Sequence, residues 1–191
     1  MRVIKTVAVY CGSNLGLSPT FAGGARALGQ ELARSNITLV YGGTKNGLMG
    51  VLCDAVLKNG GNVHGVLTAD LHQMGRTHPA LTTHEVSDTL RSRKGRMAAI
   101  ADAFIALPGG IGTLDELVEI WSMNQMAELD KPIGLPNCEG FYTPFLEFID
   151  HMVATKFLPS AHRDCACVDD DPGALIEKLR GHLRVVVPKA L

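Results

Sequence analysis

An α/β fold, with helices on both faces of a mostly parallel sheet, follows from three features of this sequence. Strand-like apolar runs alternate with segments of helical spacing from one end to the other. Apolar residues make up 46% and charged residues 19%, a balance that suits strands buried on both faces. The 191 residues fit one domain, residues 1–191, large enough for a real core, and no repeat or low-complexity linker divides them.

Taken in order, residues 3–10 read as the first strand, since their apolar run lacks the length and cleavage site of a signal segment. Ser18-Pro19 supplies an N-cap and a first-turn proline for a helix over 19–34. Residues 37–41 form the second strand. Leu48, Met49, Leu52, Ala55 and Val56 then recur at helical spacing until Asn59-Gly60-Gly61, and 63–67 give the third strand. Residues 68–79 show no period and read as a loop beside a ligand. A short strand at 82–86 precedes a helix over 88–101, and 103–107 form a buried strand. A helix over 114–126, a strand at 132–135 and a helix over 144–155 follow, and Asp171-Pro172 opens a last helix to 183.

Composition excludes several functions. A formal net charge of −1 gives no general pull on nucleic acid polymers or an anionic membrane, so any anion is held by local groups. No segment has the unbroken apolar length of a membrane span, and the expected location is cytoplasmic. The five cysteines, with Cys165-Ala166-Cys167 at the wrong spacing for a zinc knuckle, and the seven scattered histidines predict neither disulfides nor a metal site.

Three glycine-bearing turns each follow a predicted strand: Cys11-Gly12-Ser13-Asn14-Leu15-Gly16, Tyr41-Gly42-Gly43-Thr44-Lys45-Asn46-Gly47-Leu48-Met49-Gly50, and Pro108-Gly109-Gly110-Ile111-Gly112-Thr113-Leu114-Asp115-Glu116. In an open parallel sheet all three lie at the carboxyl edge, where ligands bind, which makes Gly12, Ser13 and Gly43 candidate contacts. In the third turn Gly109, Gly110 and Gly112 permit close backbone approach, and the amide end of the following helix favours an anion. Neither of the two longer turns contains the G-x-x-x-x-G-K-[ST] pattern of triphosphate hydrolysis. Asp115 stands where a dinucleotide fingerprint wants glycine or alanine, so a lone phosphate fits better than a pyrophosphate.

Glu116 admits two readings. Thr113-Leu114-Asp115-Glu116 has the form of a capping box, which would make the carboxylate a helix cap. Alternatively, a carboxylate beside a bound phosphate is electrostatically unfavourable unless the chemistry uses it. The basic run Arg91, Arg93, Lys94, Arg96 is either a solvated face or an anion-binding helix start, where the positive charges oppose the dipole until an anion arrives.

Arg93-Lys94-x-x-Met97 followed by Pro108-Gly109-Gly110-x-Gly112-Thr113-x-x-Glu116 resembles the signature of the Lonely guy family, the cytokinin riboside 5′-monophosphate phosphoribohydrolases, many of which carry an older label of possible lysine decarboxylase. The similarity extends through Cys11-Gly12-Ser13, Gly47-Leu48-Met49-Gly50, Asp102 to Leu107, and Lys131-Pro132-Ile133-Gly134-Leu135 to Gly140-Phe141-Tyr142. It implies a Rossmann-like fold, a homodimer with active sites at the subunit interface, no metal or organic cofactor, and release of an adenine-type base and ribose 5-phosphate. Carried onto matching positions, Arg93 and Glu116 are the catalytic pair, and Lys94, Gly110, Ile111, Gly112, Thr113, Leu114, Asp115 and Ser122 contact the nucleoside 5′-monophosphate. The chain departs from the family pattern at Leu90-Arg91, where Met-His is common, at Gly43-Thr44, where a third glycine is common, and at Gly75-Arg76, where an acid is common. Plain AMP cleavage and non-catalytic nucleotide or cofactor carriage on the same fold are the alternatives. Cleaving an N-glycosidic bond builds positive charge at C1′, which a carboxylate stabilises. No acid for the departing base is evident in the sequence.

Overall fold

In the computed structural model, which describes residues 1–185, the alternation becomes one seven-stranded parallel sheet. In chain order the elements are β1 (Thr6–Tyr10), α1 (Pro19–Arg34), β2 (Thr38–Tyr41), α2 (Gly47–Lys58), β3 (Val63–Thr68), α3 (Ala69–Gln73), β4 (Thr83–Ser87) and α4 (Leu90–Ile100). Then come β5 (Ala103–Ala106), α5 (Ile111–Gln125), β6 (Ile133–Leu135), a 3₁₀ turn at Cys138–Gly140, α6 (Thr143–Ala154), α7 (Ser160–Arg163), β7 (Ala166–Val168) and α8 (Pro172–Gly181). The spatial order is β4-β3-β2-β1-β5-β6-β7. The chain therefore winds outward from β1 on one side, returns, and winds outward on the other from β5. The crevice at the carboxyl ends of β1 and β5 is the topological switch point, the place where open α/β sheets bind ligands.

Side-chain alternation along the central strands divides the core. Val7 and Val9 of β1 and Ala103 and Ile105 of β5 pack with Leu28, Leu52 and Leu175 from α1, α2 and α8. Ala8, Tyr10, Phe104 and Ala106 face the opposite way, onto Met97, Leu117, Trp121 and Leu146 from α4, α5 and α6. A period of two on a sheet covered on both faces requires this.

The expected Ser18 cap is present, its hydroxyl accepting the Thr20 N–H at 3.2 Å. Five sequence expectations are corrected. The first strand starts at Thr6, because the Lys5 and Thr6 N–H groups turn onto the Asp102 carboxylate, each at 2.9 Å. The expected loop over 68–79 contains α3, which begins where the Thr68 hydroxyl accepts the Leu71 N–H at 3.4 Å. Short α7 and the outer strand β7, on which Cys167 sits, were not expected. The last helix ends at Gly181. The helix expected over 114–126 begins at Ile111, about one turn early.

Candidate active site

The turns after β1, β2 and β5 are bound into a single wall by their backbones. Gly12 donates its N–H to the Pro108 carbonyl at 3.0 Å and accepts at its own carbonyl from Leu48 N–H at 3.1 Å. Two glycines make this approach possible. Gly47, at φ +56°, lies so close to the Ser13 backbone that any Cβ would overlap it, and a Cβ on Gly109 would overlap Thr113 Oγ1. The resulting cleft, about 370 Å³, is lined by Tyr10, Ser13, Met49, Leu90, Arg93 and Glu116 around the first turn of α5.

That first turn has no side-chain cap. Gly110 is the N-cap residue, and the first intrahelical bond runs from Leu114 N–H to the Gly110 carbonyl at 3.1 Å. The Ile111, Gly112 and Thr113 amides precede that bond and carry the positive end of the helix dipole. Thr113 and Glu116 do not form the capping box that their spacing suggests, since both lie inside the helix.

Glu116 faces Arg93 instead. The guanidinium is fixed by Nε donating to the Val66 carbonyl at 3.0 Å, and Nη2 lies 3.4 Å from Glu116 Oε1. Both side chains are largely buried, with 12% and 13% of their surface exposed. Burial is the main cause that pushes the Glu116 carboxyl up to about 7; Asp115 and Glu119 add to the rise, and Arg93 and Lys94 oppose it. Tyr10, buried beside Glu116, is held firmly in its phenol form, and burial likewise keeps the Cys11 thiol protonated. Gly42 makes room for this pair, because a Cβ there would stand 2.5 Å from Arg93 Nη2.

The structure brings together Gly12, Ser13, Arg93, Gly110, Ile111, Gly112, Thr113, Asp115 and Glu116. Gly109 borders an adjoining hollow with Phe21 and Phe141. Four expected contacts lie elsewhere in this chain. Lys94 turns to Asp115 Oδ2 at 2.8 Å and Glu119 Oε2 at 3.1 Å. Leu114 packs against the core of the second face, as its position one helical step from Thr113 dictates. Gly43, at φ +74°, is turned against Leu67 and accepts the His78 N–H at 2.8 Å, so Gly42 reaches the cleft in its place. Ser122 is exposed on the outer face of α5, in an apolar hollow with Val118, Trp121, Phe145 and Phe148.

Sequence reading did not single out Tyr10, Met49 and Leu90 as cleft residues. The carboxyl-edge rule covers Tyr10, the last residue of β1, but Leu90 is brought in by α4 crossing from the far side of the sheet. Arg76, on the long segment after α3, accepts the Lys45 N–H at its carbonyl at 3.3 Å, and Thr44 bridges Thr77 beside it, so this segment is tied to the turn after β2. Among the described residues no group of three His, Cys, Asp or Glu side chains could hold a metal ion. No helix among them is long and apolar enough to cross a membrane.

Residues 49–179 match the family described as "Possible lysine decarboxylase". A protein of Oryza sativa subsp. japonica named as a probable cytokinin riboside 5′-monophosphate phosphoribohydrolase is 40% identical over 183 residues, which is 95% of this chain and 80% of that protein. A cytokinin riboside 5′-monophosphate phosphoribohydrolase of Arabidopsis thaliana is 40% identical over 181 residues, 94% of this chain and 84% of that protein. Among solved structures, the molybdenum cofactor carrier protein of Chlamydomonas reinhardtii shares the fold with a TM-score of 0.70 at 20% identity, over 94% of this chain and 100% of that one. The molybdenum cofactor binding protein of Rippkaea orientalis does so with a TM-score of 0.69 at 22% identity, over 95% and 98%. The match to the family over most of the chain, the two plant relatives and the Arg93, Lys94 and Pro108 to Glu116 signature lead to one conclusion: the chain belongs to the Lonely guy family, described also as possible lysine decarboxylase.

Proposed function

We propose that the protein is a hydrolase that cleaves the N-glycosidic bond of a purine riboside 5′-monophosphate with a cytokinin-type N6 substituent, releasing the free base and ribose 5-phosphate. One observation carries this reading: a buried Glu116–Arg93 pair shares its cleft with the uncapped amide end of α5. The activities named for the rice and Arabidopsis relatives support it.

The phosphate binds the amides of Ile111, Gly112 and Thr113, with the Ser13 and Thr113 side chains nearby. This sets C1′ of the ribose against Glu116, one helical turn on. As the bond from C1′ to the base breaks, its electron pair leaves with the purine and positive charge grows on C1′ and the ring oxygen. The Glu116 carboxylate stabilises that charge, orients the water whose oxygen bonds to C1′ and takes up the proton that this water gives up. Arg93, pinned to the β3 backbone, fixes Glu116 in place. Phosphate binding is much the same before and during bond cleavage, so it contributes positioning. We assign no side chain to protonation of the base.

We also propose a cytoplasmic homodimer with the active sites at its interface. The hollow formed by Val118, Trp121, Phe145, Phe148 and Ile149 is apolar, and Val118 and Phe148 are half-exposed, which fits a surface covered by a second copy. Ser122 lies on this face and acts across the subunit boundary in this reading.

Incubation with AMP and a panel of N6-substituted adenosine 5′-monophosphates, followed by chromatography, tests the proposal. Free base and ribose 5-phosphate are expected, faster from the N6-substituted compounds. Equal or faster release from AMP would make the enzyme a plain AMP nucleosidase, and tight binding with no base released would leave a carrier.

A further inference from the structure

Arg93 and Lys94 are neighbours in sequence but face different ways. About 100° apart around α4, Arg93 enters the cleft, whereas the Lys94 ammonium bridges Asp115 at 2.8 Å and Glu119 at 3.1 Å, with 14% of its side chain exposed. Two of its three donors are thereby taken by carboxylates on the second and third turns of α5. Those carboxylates flank Glu116: Asp115 precedes it, and Glu119 follows one turn later.

We infer that Lys94 is a positioning residue, which clamps Asp115 and Glu119 and thereby holds the neighbouring Glu116 in place and offsets the negative charge around it, and that it does not hold the substrate phosphate. This rests on the proposed role of Glu116. The groups facing Glu116 are Arg93 and Lys94 from α4, Asp115 and Glu119 from α5, Tyr10 at the end of β1 and Cys11 just after it. Three carboxylates thus share one helix end with two cations, and both Asp115 and Glu119 disfavour a charge on Glu116. Asp115 is also the main cause holding the Lys94 ammonium above its usual range, so the clamp stays charged wherever Glu116 titrates. Removing the cation leaves two negative neighbours uncompensated, and Glu116 then keeps its proton to higher pH.

The test compares Lys94→Met, Lys94→Arg and Glu119→Gln with the natural protein. The acid limb of kcat against pH is expected to move up by roughly half a unit to one unit in Lys94→Met, as expected for one partly screened charge at close range. In Glu119→Gln the limb moves down, and Lys94→Arg restores it. KM for the nucleoside monophosphate stays within about twofold in all three. A KM raised tenfold or more in Lys94→Met, with the limb unmoved, overturns the inference and makes Lys94 a phosphate ligand.

Two further readouts need no turnover. The side-chain carboxyl of Glu116, followed by carbon NMR, should titrate higher in Lys94→Met and lower in Glu119→Gln. Calorimetric affinity for AMP should be unchanged by Lys94→Met. If the natural protein releases no base, the proposed hydrolysis fails while the NMR titration still decides the clamp. If base is released but the Glu116 titration is the same in every variant, the clamp fails alone. A lysine that served only to hold the fold would change the melting temperature without moving the Glu116 titration.

Discussion

The two ends of α5 are unlike each other, although one helix carries both. Its N-terminal end starts on an uncapped glycine, presents free amides to the cleft and, one turn on, carries Glu116 held on Arg93. Its later turns present Val118, Trp121 and Ser122 to an apolar hollow shared with α6. At the first end the groups short of partners are amides and a desolvated carboxylate, which an anionic, polar ligand satisfies. At the other they are methyl groups and aromatic rings, which another protein surface satisfies. A single rigid element thus couples a proposed substrate site to a proposed subunit contact at a fixed spacing.

The sharpest way to break this contrast is at the N-terminal end. Glu116→Gln should lower kcat for base release by about 10²–10³ with little change in KM, the size of effect seen when a positioned transition-state group is removed. Near-normal turnover would reduce the polar end to an ordinary helix start. At the apolar end, Phe148→Asp should weaken the proposed self-association by roughly a hundredfold, since in that dimer it places an unpaired charge in an apolar surface that the second copy covers. Sedimentation at micromolar concentration reads this, and an unchanged mass would detach the hollow from any subunit contact.

A smaller effect separates the ends by pH. Because folding raises the Glu116 carboxyl to about 7, the native state holds a proton that the unfolded chain has released. The stabilisation from that proton is complete below the ordinary carboxylate range and is lost as pH rises through 7. Glu116→Gln removes this slope, and relative to the natural protein it should be more stable by roughly 1–3 kcal/mol at pH 8 than at pH 4. Urea denaturation at the two pH values measures it, and parallel stability curves would show that Glu116 ionises freely. Phe148→Asp, on the exposed face, should leave the slope intact.

The fold was legible wherever local signals agreed with burial. Ser18-Pro19 and Asp171-Pro172 mark real helix starts, and the apolar run of β5 is buried as such runs must be. What escaped was short or joined only by distant contacts. β7 spans three residues and exists through pairing with β6, and α3 is a five-residue helix. The Thr68 hydroxyl that caps α3 could have been recognised as an N-cap. The start of α5 was misread for a different reason: a glycine-rich stretch looks like loop, and Thr113-x-x-Glu116 imitates a cap. Thr113 is instead buried inside the helix, against Gly109.

The sequence by itself determined the strand and helix alternation, the three glycine turns and the presence of an acid and a base at family positions. These depend on local spacing and on the chirality and sterics of the backbone. The tertiary structure alone decided which partner each charge meets. Arg93 and Lys94 are adjacent in the chain, yet packing of α4 against the sheet sends one to Glu116 and the other to Asp115 and Glu119. Desolvation and ion pairing depend on what surrounds a group in space, and for Glu116 those surroundings come from β1, α4 and α5 together.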